Sequence, residues 1–294
     1  MPEGTTGSTV PRRQLGRYLR DLRGSARLTV KAAAEALEWS EAKMWRIETG
    51  QTSMRSLDVE QMCRVYGASP EATEALMALA KETKTRGWWQ SYADVVNDDF
   101  NVYLGLEEAA DHLCWYEAEL VPGLFQTPAY VRTLIAADNA SVGAAEIERR
   151  VQLRTARQSL LTRTTNPPRL QVVLNEAILH RVIGSKEIMA SQLYRLAELA
   201  SLPNVSLRVA AFTGGLHPGV MSGPFVLLEF PRSGSSNNVE PPTVYVDGFT
   251  GALYLDKPHE VERYSAAFTE IWNAALNEPT TQSLITSIAK ELEQ

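Results

Sequence analysis

Between Val30 and Thr49 the sequence holds two short helical patterns, Val30 to Leu37 and Ser40 to Thr49, with only Glu38 and Trp39 between them. Helices joined this tightly must fold back across one another. They then need a small residue where they touch, a sharp turn, and inward apolar residues that pin the second helix to a core. Ala34 is the small residue, Leu37 the last apolar position of the first helix, and Glu38-Trp39 the turn. Met44 and Ile47, three apart on one face, are the inward residues of the second helix, which Ser40 caps and Thr49-Gly50 ends. Glu41, Ala42, Lys43, Trp45 and Arg46 are left facing outward or sideways.

The flanks continue the helical texture. Arg12 to Ala26 carries Leu15, Tyr18, Leu19 and Leu22 at steps of three and four, and Leu57 to Tyr66 and Pro70 to Lys84 read as two more helices. Residues 12–86 are therefore expected to form an all-α, five-helix unit. Charge sets the same unit apart: Pro11 to Arg55 holds ten Lys/Arg against five Asp/Glu, while Gly87 onward holds fifteen against twenty-four, in a chain of net charge −6. A basic module on an acidic body fits phosphate contact at one end only. The outward residues Glu41, Ala42, Lys43, Trp45 and Arg46 are then those able to enter a major groove, with Arg46 suited to guanine O6 and N7. Thr29, Val30 and Lys31 open the preceding helix, where backbone N–H groups and Lys31 can hold phosphate, as can Ser40 and Arg55. The competing reading makes Lys43 and Arg46 solvated charges on a protein-interaction module and Trp45 an edge-of-core aromatic. Arg12, Arg13, Arg17 and Arg20 are either a wet helix face or phosphate contacts.

Beyond residue 86 the texture becomes mixed. An aromatic-rich stretch is divided by the Pro122-Gly123 turn into two helical segments, and an amphipathic helix follows from about Gly143 to Arg163. Four β-branched runs, at 170–174, 205–210, 225–230 and 243–247, read as strands, with a helix from Glu187 to Leu202 after the first. The polar segment 231–242 is expected to be a mobile loop, and helices from Pro258 to Leu276 and Thr281 to Leu292 close the chain. At 294 residues a multi-domain chain is the default: a disordered tail over 1–11, a helix-turn-helix domain over 12–86, and a larger α+β domain over 87–294. No apolar run reaches the roughly 18 residues of a membrane span and the polar N-terminus lacks a signal core, so a cytoplasmic protein is expected, nucleoid-associated when bound to DNA. Cys63 and Cys114, each on a helical pattern without a partner at ligand spacing, are expected as buried reduced thiols, leaving no disulfide or metal site.

The segment LGRYLRDLRGSARLTVKAAAEALEWSEAKMWRIETG resembles the lambda-repressor-like, or Xre-family, DNA-binding fold through its arginine-rich first helix, Ala34, Ser40, and the ending Arg46, Ile47, Glu48 and Gly50. The resemblance implies a pairing of Glu48 with Arg23 and makes Ala42, Lys43 and Arg46 groove contacts, with Glu41 at the helix start. Glu38 departs from it where the family often has glycine, and a left-handed turn there would cost about 1 kcal/mol. Val30 replaces a polar residue often used for phosphate, and Ala33 and Gly24 are small for core positions. A second set of motifs, WWQSY at 88–92, WYEAELVPGLFQTPAYVRTLI at 115–135, RVQLRTARQSLL at 150–161, VVLNEAILHRVIGS at 172–185 and VYVDGFTGALYLD at 244–256, resembles the actinobacterial WhiJ-like regulators. Members of that family are described as antitoxin-like transcriptional regulators, often encoded beside small BldB-like proteins, which the resemblance makes a partner here.

Within the acidic body, Tyr116, Glu117, Gln126, Tyr130 and Arg132 gather polar groups around the Pro122-Gly123 turn and are candidates for an effector or partner pocket. The blander reading is that Val121, Pro122, Leu124 and Phe125 are buried and the polar groups cap helices. Arg149, Arg150, Arg154 and Arg157 on one helix, with Gln158 nearby, are either an anion or acidic-partner site or a solvated, internally paired face. Glu176 follows the first strand, and His217 in a Gly/Pro-rich loop is either polar surface or an effector contact. The motifs of nucleotide, metal and acyl-transfer chemistry are missing from the sequence, so neither an enzyme nor a cofactor is expected. The sequence thus points to a sequence-specific transcriptional regulator that binds a double-stranded DNA operator as a homodimer, its C-terminal domain mediating dimerisation and sensing a small molecule or protein. The alternatives are an antitoxin-like scaffold for a small BldB-like protein, or a ligand-processing enzyme domain tethered to a DNA-binding module.

Overall fold

The computed structural model describes residues 9–84, 87–138, 142–231 and 240–294. They form two compact units, one reaching to Ala109 and including Glu240, the other beginning at Ala110.

The first unit is all helical. Helices α1 (Thr9–Ser25), α2 (Val30–Ala36), α3 (Glu41–Glu48), α4 (Ser56–Tyr66) and α5 (Pro70–Glu82) enclose a core of Leu15, Leu19, Ala33, Ala34, Met44, Ile47, Val59 and Met62. Side-chain caps start three of them, as Thr29 accepts from Ala32 N–H, Ser40 from Lys43 N–H and Ser69 from Ala72 N–H. Two boundaries differ from expectation. The N-terminal tail is shorter, because Thr9, Val10 and Pro11 already form the first turn of α1; residues 1–8 lie outside the described residues. The unit also runs beyond residue 86 to a sixth helix, α6 (Asp98–Ala109). Helix α6 lies directly against α1, since any side chain at Gly105 would collide with Thr9. The aromatics of the 3-10 turn Trp88–Tyr92 fold in with it, the buried Trp89 donating from Nε1 to Asn101 Oδ1 at 2.7 Å. Gly24, read as a core position, is exposed, whereas Ala33 is fully buried.

The second unit is a six-stranded mixed sheet with helices. Its elements in order are β1 (His112–Glu117), α7 (Pro128–Asp138), α8 (Ala144–Arg157), α9 (Ser159–Thr162), β2 (Arg169–Asn175), α10 (Ala177–His180), α11 (Lys186–Leu199), β3 (Val205–Ala210), α12 (Gly219–Ser222), β4 (Phe225–Glu229), β5 (Thr243–Gly248), β6 (Gly251–Leu255), α13 (Pro258–Ala274) and α14 (Glu278–Leu292). The spatial order is β3-β2-β1-β4-β5-β6, with β1, β2 and β3 parallel and the β1–β4, β4–β5 and β5–β6 pairs antiparallel. The carboxyl ends of β1, β2, β3 and β5 therefore share one edge of the sheet, which places Glu117, Asn175, Ala210 and Asp247 along it.

Three expectations change here. Residues 112–117 form a central strand rather than a helix, so Cys114 sits on β1; the run is buried on both faces and shows no alternation to betray it. Gly251–Leu255 form a further strand, β6, where none is expected. The amphipathic helix expected over Gly143 to Arg163 breaks at Gln158, whose side chain donates to the backbone of Gln126 at 2.6 Å. Of the polar loop at 231–242, residues 232–239 lie outside the described residues. Among the described residues no helix is long and apolar enough to cross a membrane.

One face of the sheet presents Cys114, Tyr116, Val173, Phe225, Leu227 and Val244 to Phe268 and Ile271 of α13. By the alternation of a pleated strand, Trp115, Glu117, Tyr245 and Asp247 project from the other face.

Candidate nucleic-acid interface

Helix α3 is anchored by Met44, Ile47 and Glu48, all buried, while Glu41, Ala42, Trp45 and Arg46 are exposed. Trp45 is 55% exposed, far too open for the edge-of-core role. Lys43 leans sideways, its Nζ lying 3.3 Å from the centroid of the Trp39 ring, a cation–π contact that holds its charge beside the turn. The exposed row is thus Glu41, Ala42, Trp45 and Arg46, with Lys43 at its margin.

The turn that aims α3 is built as its sequence demands. Glu38 adopts φ +56°, so the left-handed conformation usually given to glycine is taken by a glutamate. Arg27, just before α2, does the same at +56°. At the far end Glu48 is clamped by Arg23 through two hydrogen bonds, Nε to Oε1 at 2.6 Å and Nη2 to Oε2 at 2.8 Å. The pairing implied by the Xre resemblance is present, and it fixes the end of α3 to α1. Hydrogen bonding to Glu48 raises the pKa of Arg23. Gly16 matters equally, though no motif in the sequence marks it: a Cβ there would fall 2.5 Å from the Ile47 carbonyl oxygen, so only glycine lets α1 cross the end of α3 this closely.

The remaining phosphate candidates cluster at helix starts. Thr29 and Ser40 are exposed and their hydroxyls serve as caps; Lys31 is exposed at the start of α2. Arg55 is exposed and makes a 3.3 Å contact with Asp58. The arginines of α1 go elsewhere. Arg13 and Arg17 both pair with Glu240, at 2.8 and 2.6 Å, and Arg12 donates to the Thr83 carbonyl at 3.0 Å. Of the four, Arg20 alone is exposed.

The effector candidates of the second unit divide into groups. Tyr116 is buried on the α13 face, with His217 packed edge-on against it at 5.7 Å between ring centroids. His217 is neither polar surface nor an open contact: it is buried, burial lowers its pKa, and its Nδ1 accepts from Gly219 N–H at 3.2 Å. Glu176 ties down the same loop by accepting from Phe212 N–H at 2.7 Å. On the opposite face Glu117 accepts from Trp115 Nε1 at 3.1 Å, and burial pushes its carboxyl up to about 7. Gln126 and Tyr130 are buried and hold the Pro122-Gly123 turn, Gln126 donating to the Val121 carbonyl and Tyr130 accepting from Val121 N–H. Val121, Leu124 and Phe125 are buried with them, as the structural reading of this turn anticipated. Arg132 stands apart, paired with Glu148 in an exposed fork. Arg157 is buried beside Gly123. Both cysteines are buried thiols, and burial pushes Cys114 up to about 12.

A family model described as a helix-turn-helix domain matches residues 14–76. A second, described as a domain of unknown function (DUF5753), matches residues 100–287. No curated protein and no solved structure matches the chain.

Proposed function

We propose that this chain, which belongs to the family described as domain of unknown function (DUF5753) and carries an N-terminal helix-turn-helix domain, is a sequence-specific DNA-binding transcriptional regulator. The observation that carries the reading is the division of α3: its inward residues are buried and clamped by Arg23, while Glu41, Ala42, Trp45 and Arg46 are presented together to solvent. A rigid helix with a guanidinium on its free face is suited to a major groove, where Arg46 would grip one guanine and Lys31, Arg55 and the amide groups opening α2 and α3 would hold phosphates. One such helix reads only a few base pairs, so the protein acts as a homodimer on paired half-sites. The second unit supplies dimerisation and receives the signal, and catalysis is assigned to neither unit. Its place is the cytoplasm, on the nucleoid when bound to DNA.

A second reading, an antitoxin-like scaffold for a small BldB-like protein, draws support from the exposed apolar side chains of Phe212, Leu216, Val220 and Met221, on the segment from the end of β3 through α12. It differs in output, not in the DNA-binding surface. Gel-shift titrations of the full chain with Arg46→Ala and Lys43→Ala test the primary reading. Arg46→Ala is expected to lose about 1–3 kcal/mol of discrimination at one base pair. Equal affinity and equal salt dependence in both variants would remove the proposed reading surface.

A further inference from the structure

Helix α8 places Arg150, Arg154 and Arg157 at steps of four and three, on one stripe. Each of the three is held differently. Arg157 is buried, with its Nη1 so near Gly123 that a Cβ there would lie 3.1 Å away. Arg154 donates from Nη1 to Oε1 of Gln126 at 2.5 Å, a neutral amide rather than a carboxylate. Arg150 pairs with Glu146 through Nη2 at 2.6 Å, yet its Nε is buried without a hydrogen-bond partner among the described residues.

Burial, reinforced by the fields of Arg157 and Arg150, brings Arg154 down to about 10, and the opposing fields of Asp247 and Asp138 only partly offset this. A half-buried guanidinium, beside two of its own kind and hydrogen-bonded to an uncharged group, is poorly compensated. Nothing about the arrangement is loose. Gln126 is locked by its own donation to the Val121 carbonyl at 2.7 Å and by Gln158, which donates to its backbone oxygen at 2.6 Å. Opposite, Tyr130 feels both Glu117 and Arg154, which sets these groups around one region near the carboxyl end of β1. Glu117, raised toward neutrality by burial, brings a hydroxyl donor to that region as readily as a negative charge.

We propose that Arg154, with Arg150, binds the anionic group of a small organic ligand, a carboxylate or a phosphate, beside the Pro122-Gly123 turn. A planar guanidinium fork takes such groups through two parallel hydrogen bonds, and the orphan Nε of Arg150 adds a third donor. This deepens the reading of the second unit as a receiver, because it names the chemistry received.

Isothermal titration of the full chain, without DNA and at low ionic strength, tests the site with two probes, inorganic phosphate and succinate, which separate the two sources of anion. Saturable uptake of at least one is expected, weakened at least tenfold in Arg154→Gln, severalfold in Arg150→Gln, and unchanged in Arg195→Gln, a surface arginine paired with Glu198. The anion-free thermal midpoint of Arg154→Gln is expected to equal or exceed that of the wild type, because the change removes a half-buried, undercompensated charge. Failure of both probes to bind, equal affinity in Arg154→Gln, or a lowered anion-free midpoint would overturn the site. Operator affinity measured with and without the bound anion separates the two claims: uptake without any change in DNA affinity leaves the site standing and removes the receiver reading.

Discussion

Glu38 carries a left-handed backbone at φ +56° and Gly50 another at +75°, and the two respond to substitution in opposite directions. At Glu38 a Cβ is present where it is disfavoured, so Glu38→Gly is expected to raise stability by about 1 kcal/mol, read as a higher thermal midpoint. At Gly50 a Cβ would lie 2.7 Å from the Arg13 backbone as well as being strained, so Gly50→Ala is expected to cost about 1–3 kcal/mol. Glu117 gives a pH signature. Its folded pKa of about 7 lies above the ordinary carboxylate value of 4.5, so the folded chain keeps a proton that the unfolded chain has lost. Its contribution to stability is fully present below about pH 4.5, declines as pH rises toward about 7, and is flat beyond. Glu117→Gln is expected to abolish that decline, and an unchanged stability profile between those pH values would contradict the assignment.

Helix α3 owes its position to α1, through Gly16 and the Arg23–Glu48 fork. Glu48 is buried and Arg23 nearly so, so Glu48→Ala strands a charge and is expected to cost about 3–5 kcal/mol in chemical denaturation. Trp45→Ala, on the free face of the same helix, is expected to leave stability unchanged. This helix and its neighbours are legible from sequence because one-sided burial imposes a 3.6-residue period, and because Ser40 writes its cap locally. The outward row Glu41, Ala42, Trp45 and Arg46 follows from the same period. Strand β1 was not legible, since burial on both faces erases alternation and HLCWYE reads equally well as helix. The packing of α6 on α1, at Gly105 and Thr9, joins residues about a hundred positions apart, which no local pattern announces. The candidate residues of the second unit show the same limit: Arg132 and Glu148 meet across two helices, and the partnership of Arg154 with Gln126 comes from the path of the chain after β1.

On the scale of the whole molecule, the basic stretch Pro11 to Arg55 falls on the helix-turn-helix, while the acidic excess from Gly87 onward begins at α6 in the same unit and continues through the sheet domain. Such a protein is expected to bind DNA through a limited number of phosphates, with log affinity falling linearly in log salt at about 0.9 per phosphate neutralised. The division of labour also predicts that substitutions on α8, such as Arg154→Gln, leave operator affinity intact in the absence of anion. In vitro selection from a random duplex library, with the full chain and with Arg46→Ala, tests the central claim most directly. The wild type is expected to enrich an inverted repeat with half-sites about one helical turn, roughly 10 base pairs, apart, and Arg46→Ala to lose preference at one symmetric pair of positions. Enrichment of no motif by the wild type, or of the same motif with undiminished preference by Arg46→Ala, would contradict it.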